Sequence, residues 1–144
     1  MPSEVRENTV VKAAVALAQT QLNQRRYFSF VVPATSLCLS LPQVRSLSLN
    51  PRVLTFNLNQ CAFGAVPLGF TREGCDIRCR KSTTVITNCP RLKQLAIRCS
   101  GGHSHVALQG RARVGGRWQL RTALNEGFPP ALVVAFARMV GDHL

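Results

Sequence analysis

Cysteine and histidine are the residues of this chain whose types and spacing could do chemistry. Three residues separate Cys75 from Cys79, three separate Cys99 from His103, and His105 follows two positions later. Thiolates and neutral imidazoles are the ligands of closed tetrahedral zinc sites. Cys75, Cys79, Cys99, His103 and His105 are therefore the candidate metal set, one group from each of two loops. The alternative is free thiols beside an exposed Gly101-Gly102-His103-Ser104-His105 turn, since CxxxC is a looser signature than CxxC. The two histidines could also exchange protons with a substrate, but no carboxylate lies near them in sequence to orient either ring. The six acids are Glu4, Glu7, Glu73, Asp76, Glu126 and Asp142. None sits at the end of an expected strand, which argues against hydrolysis by a carboxylate-held metal. Neither GxGxxG nor GxxxxGK[ST] occurs, so nothing marks a nucleotide-phosphate cradle.

Charge points to a partner. The chain of 144 residues carries a formal net charge of +12, and 15 of its 18 basic residues are arginine. A polyanion such as DNA is the first implication; an arginine-rich coding bias explains the same numbers. The basic residues are scattered, and nine aromatic residues are few for a dedicated single-strand binder. Arg80, Lys81, Arg98, Arg111, Arg113 and Arg117 are the candidate nucleic-acid contacts. Hydrophobic content of 46% is enough for one domain with a core. No apolar run reaches the length of a membrane span, and the N-terminus lacks the basic-then-apolar order of a signal peptide. A cytoplasmic or nuclear protein is expected, not a secreted one and not a membrane protein. In such a compartment the six cysteines are free thiols or metal ligands before they are disulfides.

Positioning these groups falls to a stretch from Val53 to Pro90. Val53–Leu58 alternates, with Val53, Thr55 and Asn57 on one face and Leu54, Phe56 and Leu58 on the other. Thr83–Thr87 is β-branched throughout, as suits a strand. Before it, residues 4–24 predict a helix capped by Ser3, with Val11, Ala14, Val15, Ala18 and Leu22 as its apolar stripe. Tyr27–Val32 reads as a buried parallel strand. Leu37–Leu49 reads as helical around Pro42, with Val44 and Leu47 inward, and stops at Asn50-Pro51. Arg91–Leu95 is a short helical turn, and Ala96–Cys99 is extended. Pro129-Pro130 opens a final helix, apolar nearly all round and so expected to be buried. Helix alternating with strand implies an α/β fold: a partial Rossmann-like, mostly parallel sheet with flanking helices. One domain results, with an N-terminal helix at 1–26, a sheet core at 27–100, a Gly/Arg-rich loop region at 101–128 and a C-terminal helix at 129–144.

A series of motifs adds a resemblance. They are FSFVVPATS at 28–36, Gln60-Cys61-Ala62-Phe63-Gly64, Lys81-Ser82-Thr83, Thr87-Asn88, the run Cys99 to His105, Leu108-Gln109-Gly110 and Phe128-Pro129. In this order they resemble the C-terminal half of a methyltransferase-like family of phages and mobile elements, related to cytosine-5 DNA methyltransferases. The resemblance implies an active-site rim at Val31, Val32, Pro33, Gln60, Cys61 and Lys81. Family members carry Glu-Asn where this chain has Val31-Val32, and valine offers neither charge nor hydrogen bond. The half that would hold S-adenosylmethionine and the catalytic Pro-Cys has no counterpart before Val31. The expectation is a truncated, catalytically inactive relative of a mobile-element DNA methyltransferase that retains weak DNA binding and binds no cofactor. Two alternatives stand beside it: a small zinc-stabilised nucleic-acid-binding module, and the C-terminal half of a split methyltransferase whose S-adenosylmethionine site comes from a partner chain.

Overall fold

A computed structural model of the protein describes residues 2–67, 76–124 and 127–141. Along the chain the elements are α1 (Pro2–Asn23), β1 (Ser29–Pro33), α2 (Pro42–Ser48), β2 (Leu54–Asn59), β3 (Ile77–Arg78), β4 (Ser82–Thr87), β5 (Ser104–His105), β6 (Arg111–Val114), β7 (Arg117–Leu120), α3 (Arg121–Leu124) and α4 (Pro130–Gly141). Short 3₁₀ helices at Leu37–Ser40, Gln60–Phe63 and Pro90–Leu95 lie between them. The chain divides into two units. The first holds residues 1–58 and 83–96, the second 59–82 and 97–144.

In the first unit α1 follows its periodicity. Ala18 and Leu22 are buried, and Val11, Ala14 and Val15 are half-buried on the same stripe. Ser3 lies inside the helix, which begins at Pro2 and so places proline where a first turn tolerates it. Pro42 opens α2 in the same way, and Val44 and Leu47 point inward as the pattern required. These residues pack with Val53 and Ile86 into one core, edged by Val11, Val15, Phe28, Phe30, Leu39 and Leu41. Burying each large aliphatic side chain here stabilises the fold by about 1.5–3 kcal/mol.

The sheet corrects the expected fold class. Its order is β1-β4-β2, and β1 pairs β4 antiparallel, with Phe30 opposite Ile86 and Val32 opposite Thr84. Between β4 and β2 the Thr84 hydroxyl donates to Asn57 Oδ1 at 2.6 Å, and Asn59 Nδ2 donates to Ser82 Oγ at 3.0 Å. One position rises as the other falls, so this pair is antiparallel as well. A mostly parallel, Rossmann-like sheet is therefore not what forms. Among the described residues the one parallel pairing is the two-residue match of β3 with β5. The helix–strand rhythm was real, because β1, α2 and β2 make a crossover. The crossover is split, however, with β4 inserted between its strands and running the other way.

Residue chemistry explains the order. β4 is β-branched and buried from Thr83 to Thr87, so it takes the centre. β1 ends in Pro33, which cannot donate to a ladder and belongs on an edge. Hence Tyr27–Val32 is not the buried parallel strand its apolarity suggested; alternate residues of β1 are exposed, Val31 among them. Thr87-Asn88 anchors the start of β1. Thr87 Oγ1 donates to the Phe28 carbonyl at 2.6 Å, Asn88 Oδ1 accepts from Phe28 N at 2.8 Å, and Asn88 Nδ2 donates to the Arg26 carbonyl at 2.8 Å. β2 keeps its predicted alternation, with Phe56 and Leu58 buried and Thr55 and Asn57 exposed.

In the second unit two expectations change. Residues 101–128 are not simply a Gly/Arg-rich loop: β6 and β7 form an antiparallel hairpin closed by Gly115-Gly116. Both glycines have positive φ, +61° and +78°. Such a two-residue turn matches the right-handed twist of its strands and favours glycine. The C-terminal helix forms as α4, but it is not buried all round. Leu132 is buried, whereas Val133 and Val134 are about half exposed, at 50% and 49%. Cover comes from one side, where α4 packs near the turn Gln60–Phe63. No helix among the described residues is long and apolar enough to cross a membrane.

Candidate metal centre

Four ligand-bearing side chains converge in the second unit: Cys61, Cys99, His103 and His105. Their donor atoms all lie within 4.8 Å of one another. Cys99 Sγ is 3.3 Å from His103 Nε2 and 3.4 Å from His105 Nε2, and the two Nε2 atoms are 3.0 Å apart. Ligands at roughly 2.3 Å (sulfur) and 2.0–2.1 Å (nitrogen) from one tetrahedral zinc would be separated by about 3.3–3.8 Å. The three edges among Cys99, His103 and His105 fall a few tenths of an ångström short of that, and the 4.8 Å span of the full set with Cys61 exceeds it by about 1 Å. The cluster is a Cys₂His₂ set compatible with zinc.

Local sequence builds each arm. β2 ends at Asn59, and the turn Gln60–Phe63 swings Cys61 inward until it is fully buried. Gly64 closes the turn in the left-handed region at φ +81° and returns its N–H to the Cys61 carbonyl. The Gln60 and Cys61 amides both donate to the Arg80 carbonyl, at 2.8 and 3.4 Å. The Arg78 guanidinium donates to the Cys61 carbonyl at 2.8 Å while forking onto Asp76, with both bonds at 3.0 Å. That fork holds the Asp76 carboxyl below its usual range, chiefly through the hydrogen bonds from Arg78.

The second arm is CSGGHSH. Asn59 Oδ1 accepts from the Cys99 amide at 2.8 Å, and the Asn59 amide donates to the Ile97 carbonyl at 3.0 Å. Gly101 and Gly102 both have positive φ, +85° and +79°. Two consecutive left-handed residues turn the chain back sharply, so His103 returns to Cys99. Such a turn is strained for residues other than glycine. Ser104 and His105 then pair with Ile77 and Arg78, extended by Ser104 N to Asp76 O at 3.0 Å and Val106 N to Arg78 O at 3.1 Å. The two imidazoles meet edge to face, with centroids 4.7 Å apart.

Electrostatics favour the ligand forms of two of the four groups. The Cys99 thiol is lowered from its ordinary range, first by the Gly101 amide that donates to its sulfur at 3.4 Å, then by Cys61 and Arg80. His105 is lowered chiefly by desolvation and then by its neighbours Arg80 and His103, which favours the neutral ring. Cys61 is raised, first by burial and then by the neighbouring Cys99; a bound cation would reverse that shift. Arg80 lies 3.4 Å from His105 Nδ1. If Nε2 binds a metal, Nδ1 carries the ring proton and cannot accept from a guanidinium. Arg80 must then turn toward solvent.

The expected metal set is thus corrected at one member and extended at another. Cys99, His103 and His105 come together as the spacing suggested. Cys79 does not join them: its thiol is buried elsewhere, its pKa raised by that burial, and its amide bonds the Ala65 carbonyl at 2.9 Å. Cys75 lies outside the described residues. The fourth member of the cluster is Cys61, which the methyltransferase resemblance places on an active-site rim. The signal was its position in Gln60-Cys61-Ala62-Phe63-Gly64, a second cysteine motif bounded by a turn glycine.

The implied rim does not assemble on parallel strands. Val31, Val32 and Pro33 belong to the antiparallel edge strand β1, where Val32 lines an apolar cleft with Val10, Val11, Ala14, Phe30 and Leu37. Gln60, Cys61 and Lys81 belong to the second unit. Lys81 adopts φ +41°, and its ammonium donates to the Gly127 carbonyl at 3.1 Å and is lowered in pKa by desolvation. All six candidate nucleic-acid contacts lie in the second unit. Arg80 and Arg98 are exposed, Arg111 and Arg113 share the outward face of β6, and Arg117 opens β7. Compared with known protein families, curated proteins and solved structures, the chain matches no family model, no curated protein and no solved structure.

Proposed function

We propose that the chain is a small nucleic-acid-binding module whose second unit is held together by one structural zinc ion on Cys61, Cys99, His103 and His105. The convergence of these four side chains carries the reading. Four protein ligands fill a tetrahedral shell, so the site has no open position for a catalytic water, which separates it from hydrolytic zinc. The ligands come from segments 38 residues apart at Cys61 and Cys99, so binding would staple two distant loops. The basic character of the same unit supplies the partner. Phosphate contacts from scattered arginines give salt-sensitive affinity with little base preference. The methyltransferase relationship rests on the ordered motifs alone, and nothing in the fold favours it over the zinc reading. Two of those motifs, Gln60–Gly64 and Cys99–His105, are the ones that supply the ligands.

The test is the metal content of the purified chain with its response to substitution. One zinc per chain is expected, retained in Cys79→Ala and lost in Cys61→Ser and Cys99→Ser. Replacing zinc with cobalt should produce the intense visible bands of a tetrahedral thiolate site. A metal-free chain that cannot be loaded, or loading that depends on Cys79 and not Cys61, would overturn the proposal.

A further inference from the structure

The β6–β7 hairpin has two chemically different faces. Ala112 is buried at 4% exposure, and Val114 and Gln119 are half-buried. The opposite face carries Arg111, Arg113, Trp118 and Leu120, all exposed, with Trp118 at 67% and Leu120 at 51%. Register places Arg113 directly opposite Trp118 and Arg111 directly opposite Leu120. A two-residue turn closes on a hydrogen-bonded pair, so both of these are non-hydrogen-bonded pairs, in which facing side chains stand closest. Arg111 and Arg113 are about 6.8 Å apart along the strand. The face thus sets one large flat ring and one aliphatic side chain against two guanidinium groups that no salt bridge occupies among the described residues.

Charge complementarity selects the occupant. From residue 77 to residue 125 the sequence holds ten basic residues and no acid, and four of the ten, Arg111, Arg113, Arg117 and Arg121, lie on or next to the hairpin. A ligand matching an exposed indole beside a pair of cations needs a flat π-face and a negative charge in repeating order. Single-stranded nucleic acid has both: bases stack on aromatic rings while arginines take the phosphates. A duplex hides its base faces by stacking them on each other.

We propose that the outer face of the β6–β7 hairpin binds single-stranded nucleic acid, with a base stacked on Trp118 and the adjoining phosphates held by Arg111 and Arg113. This deepens the nucleic-acid reading above by naming the surface and the strand form. Sequence reasoning discounted single strands because aromatic residues are few. The hairpin sets one of them beside two cations, directly across from Arg113 and diagonal to Arg111.

Trp118 is the chain's single tryptophan, so intrinsic fluorescence reports on this face alone. The full chain is titrated at low salt with oligothymidylate of about 12 nucleotides, long enough for such a site. Quenching of the indole emission is expected, with less from a duplex of the same length. Trp118→Ala should weaken binding, read by anisotropy of a labelled oligomer, on the order of tenfold, whereas Trp118→Phe keeps most of the affinity. Arg111→Gln with Arg113→Gln should reduce the salt slope by about 1.4, at about 0.7 per phosphate contact to a single strand. Three outcomes would overturn the proposal: oligomer binding without quenching, equal affinity in Trp118→Ala, and equal or stronger quenching by duplex. A blue shift with phosphatidylserine vesicles and no response to the oligomer would assign the face to an anionic membrane instead. Zinc is assayed on the same preparations. Binding through Trp118 in a chain that holds no zinc and cannot be loaded with it sinks the zinc reading and upholds this one. A zinc-loaded chain whose indole ignores the oligomer sinks this one alone.

Discussion

Replacing Cys61 by serine should uncouple the protein's stability from zinc. The substitution is nearly isosteric, and the backbone around Cys61 is tied by bonds the side chain does not make: the amides of Gln60 and Cys61 to Arg80 O, and Cys61 O to Arg78. A buried hydroxyl that lacks a good partner costs about 1–3 kcal/mol by itself, and this cost is present with zinc or with chelator. The informative quantity is therefore the difference between the two conditions. For the unmodified chain at a free zinc concentration a thousandfold above the dissociation constant, linkage stabilises the folded state by about 4 kcal/mol. For a chain of this size that corresponds to a rise in melting temperature on the order of 10 °C. If loss of one of four ligands lowers affinity a thousandfold, the same zinc stabilises by only RT ln 2, about 0.4 kcal/mol. Thermal unfolding of both proteins in buffered zinc and in chelator measures the four values. A Cys61→Ser chain with the full zinc-dependent rise would refute the assignment of Cys61 as a ligand. A wild-type chain with no rise would refute the site.

Zinc retention should fall as pH falls, because binding displaces protons from thiols and imidazoles. The apo-protein follows the same sign: His105 is depressed when folded, so the unfolded chain binds more protons, and the stability from this group is present above the unfolded value and lost as pH drops through the folded one. Zinc release monitored with a chromogenic chelator between neutral and acidic pH checks this, and tighter retention in acid would contradict it. Leu22→Ala removes a fully buried side chain from the core shared with Val44, Leu47 and Ile86. It should cost about 2–5 kcal/mol in denaturant unfolding and leave zinc stoichiometry unchanged. Gly116→Ala sits at φ +78° and should destabilise the hairpin by about 1–2 kcal/mol, the cost of a left-handed residue with a Cβ; amide hydrogen exchange in β6 and β7 would report faster opening, and unchanged protection would argue against the turn geometry.

Local patterning was legible wherever a segment's neighbours in sequence are also its neighbours in space. The stripe Val11, Ala14, Val15, Ala18 and Leu22 announced α1, Pro42 with Val44 and Leu47 announced α2, and the alternation of Val53–Leu58 announced β2, because helix and strand periods are set by the backbone alone. The hairpin was missed for a related reason. Gly115-Gly116 lies in a stretch that reads as a Gly/Arg-rich loop, and the strands it joins carry arginine in place of the apolar alternation that marks a buried face.

Direction, order and ligand identity were different questions. Nothing in β1, β2 or β4 taken singly says that β4 inserts between the other two and runs against them. That follows from which strand has both faces buried and from Pro33 at an edge. The residues from Cys99 to His105 belonged to the candidate site from spacing alone, since two left-handed glycines suffice to fold them together. Their fourth partner is not a matter of spacing. Cys79 matched the expected loop pattern better than Cys61, but Arg80 O holds the turn at Gln60–Cys61 while the Cys79 amide is drawn to Ala65 O. A contact between residues 38 positions apart depends on how intervening segments pair, and that pairing is a property of the assembled backbone.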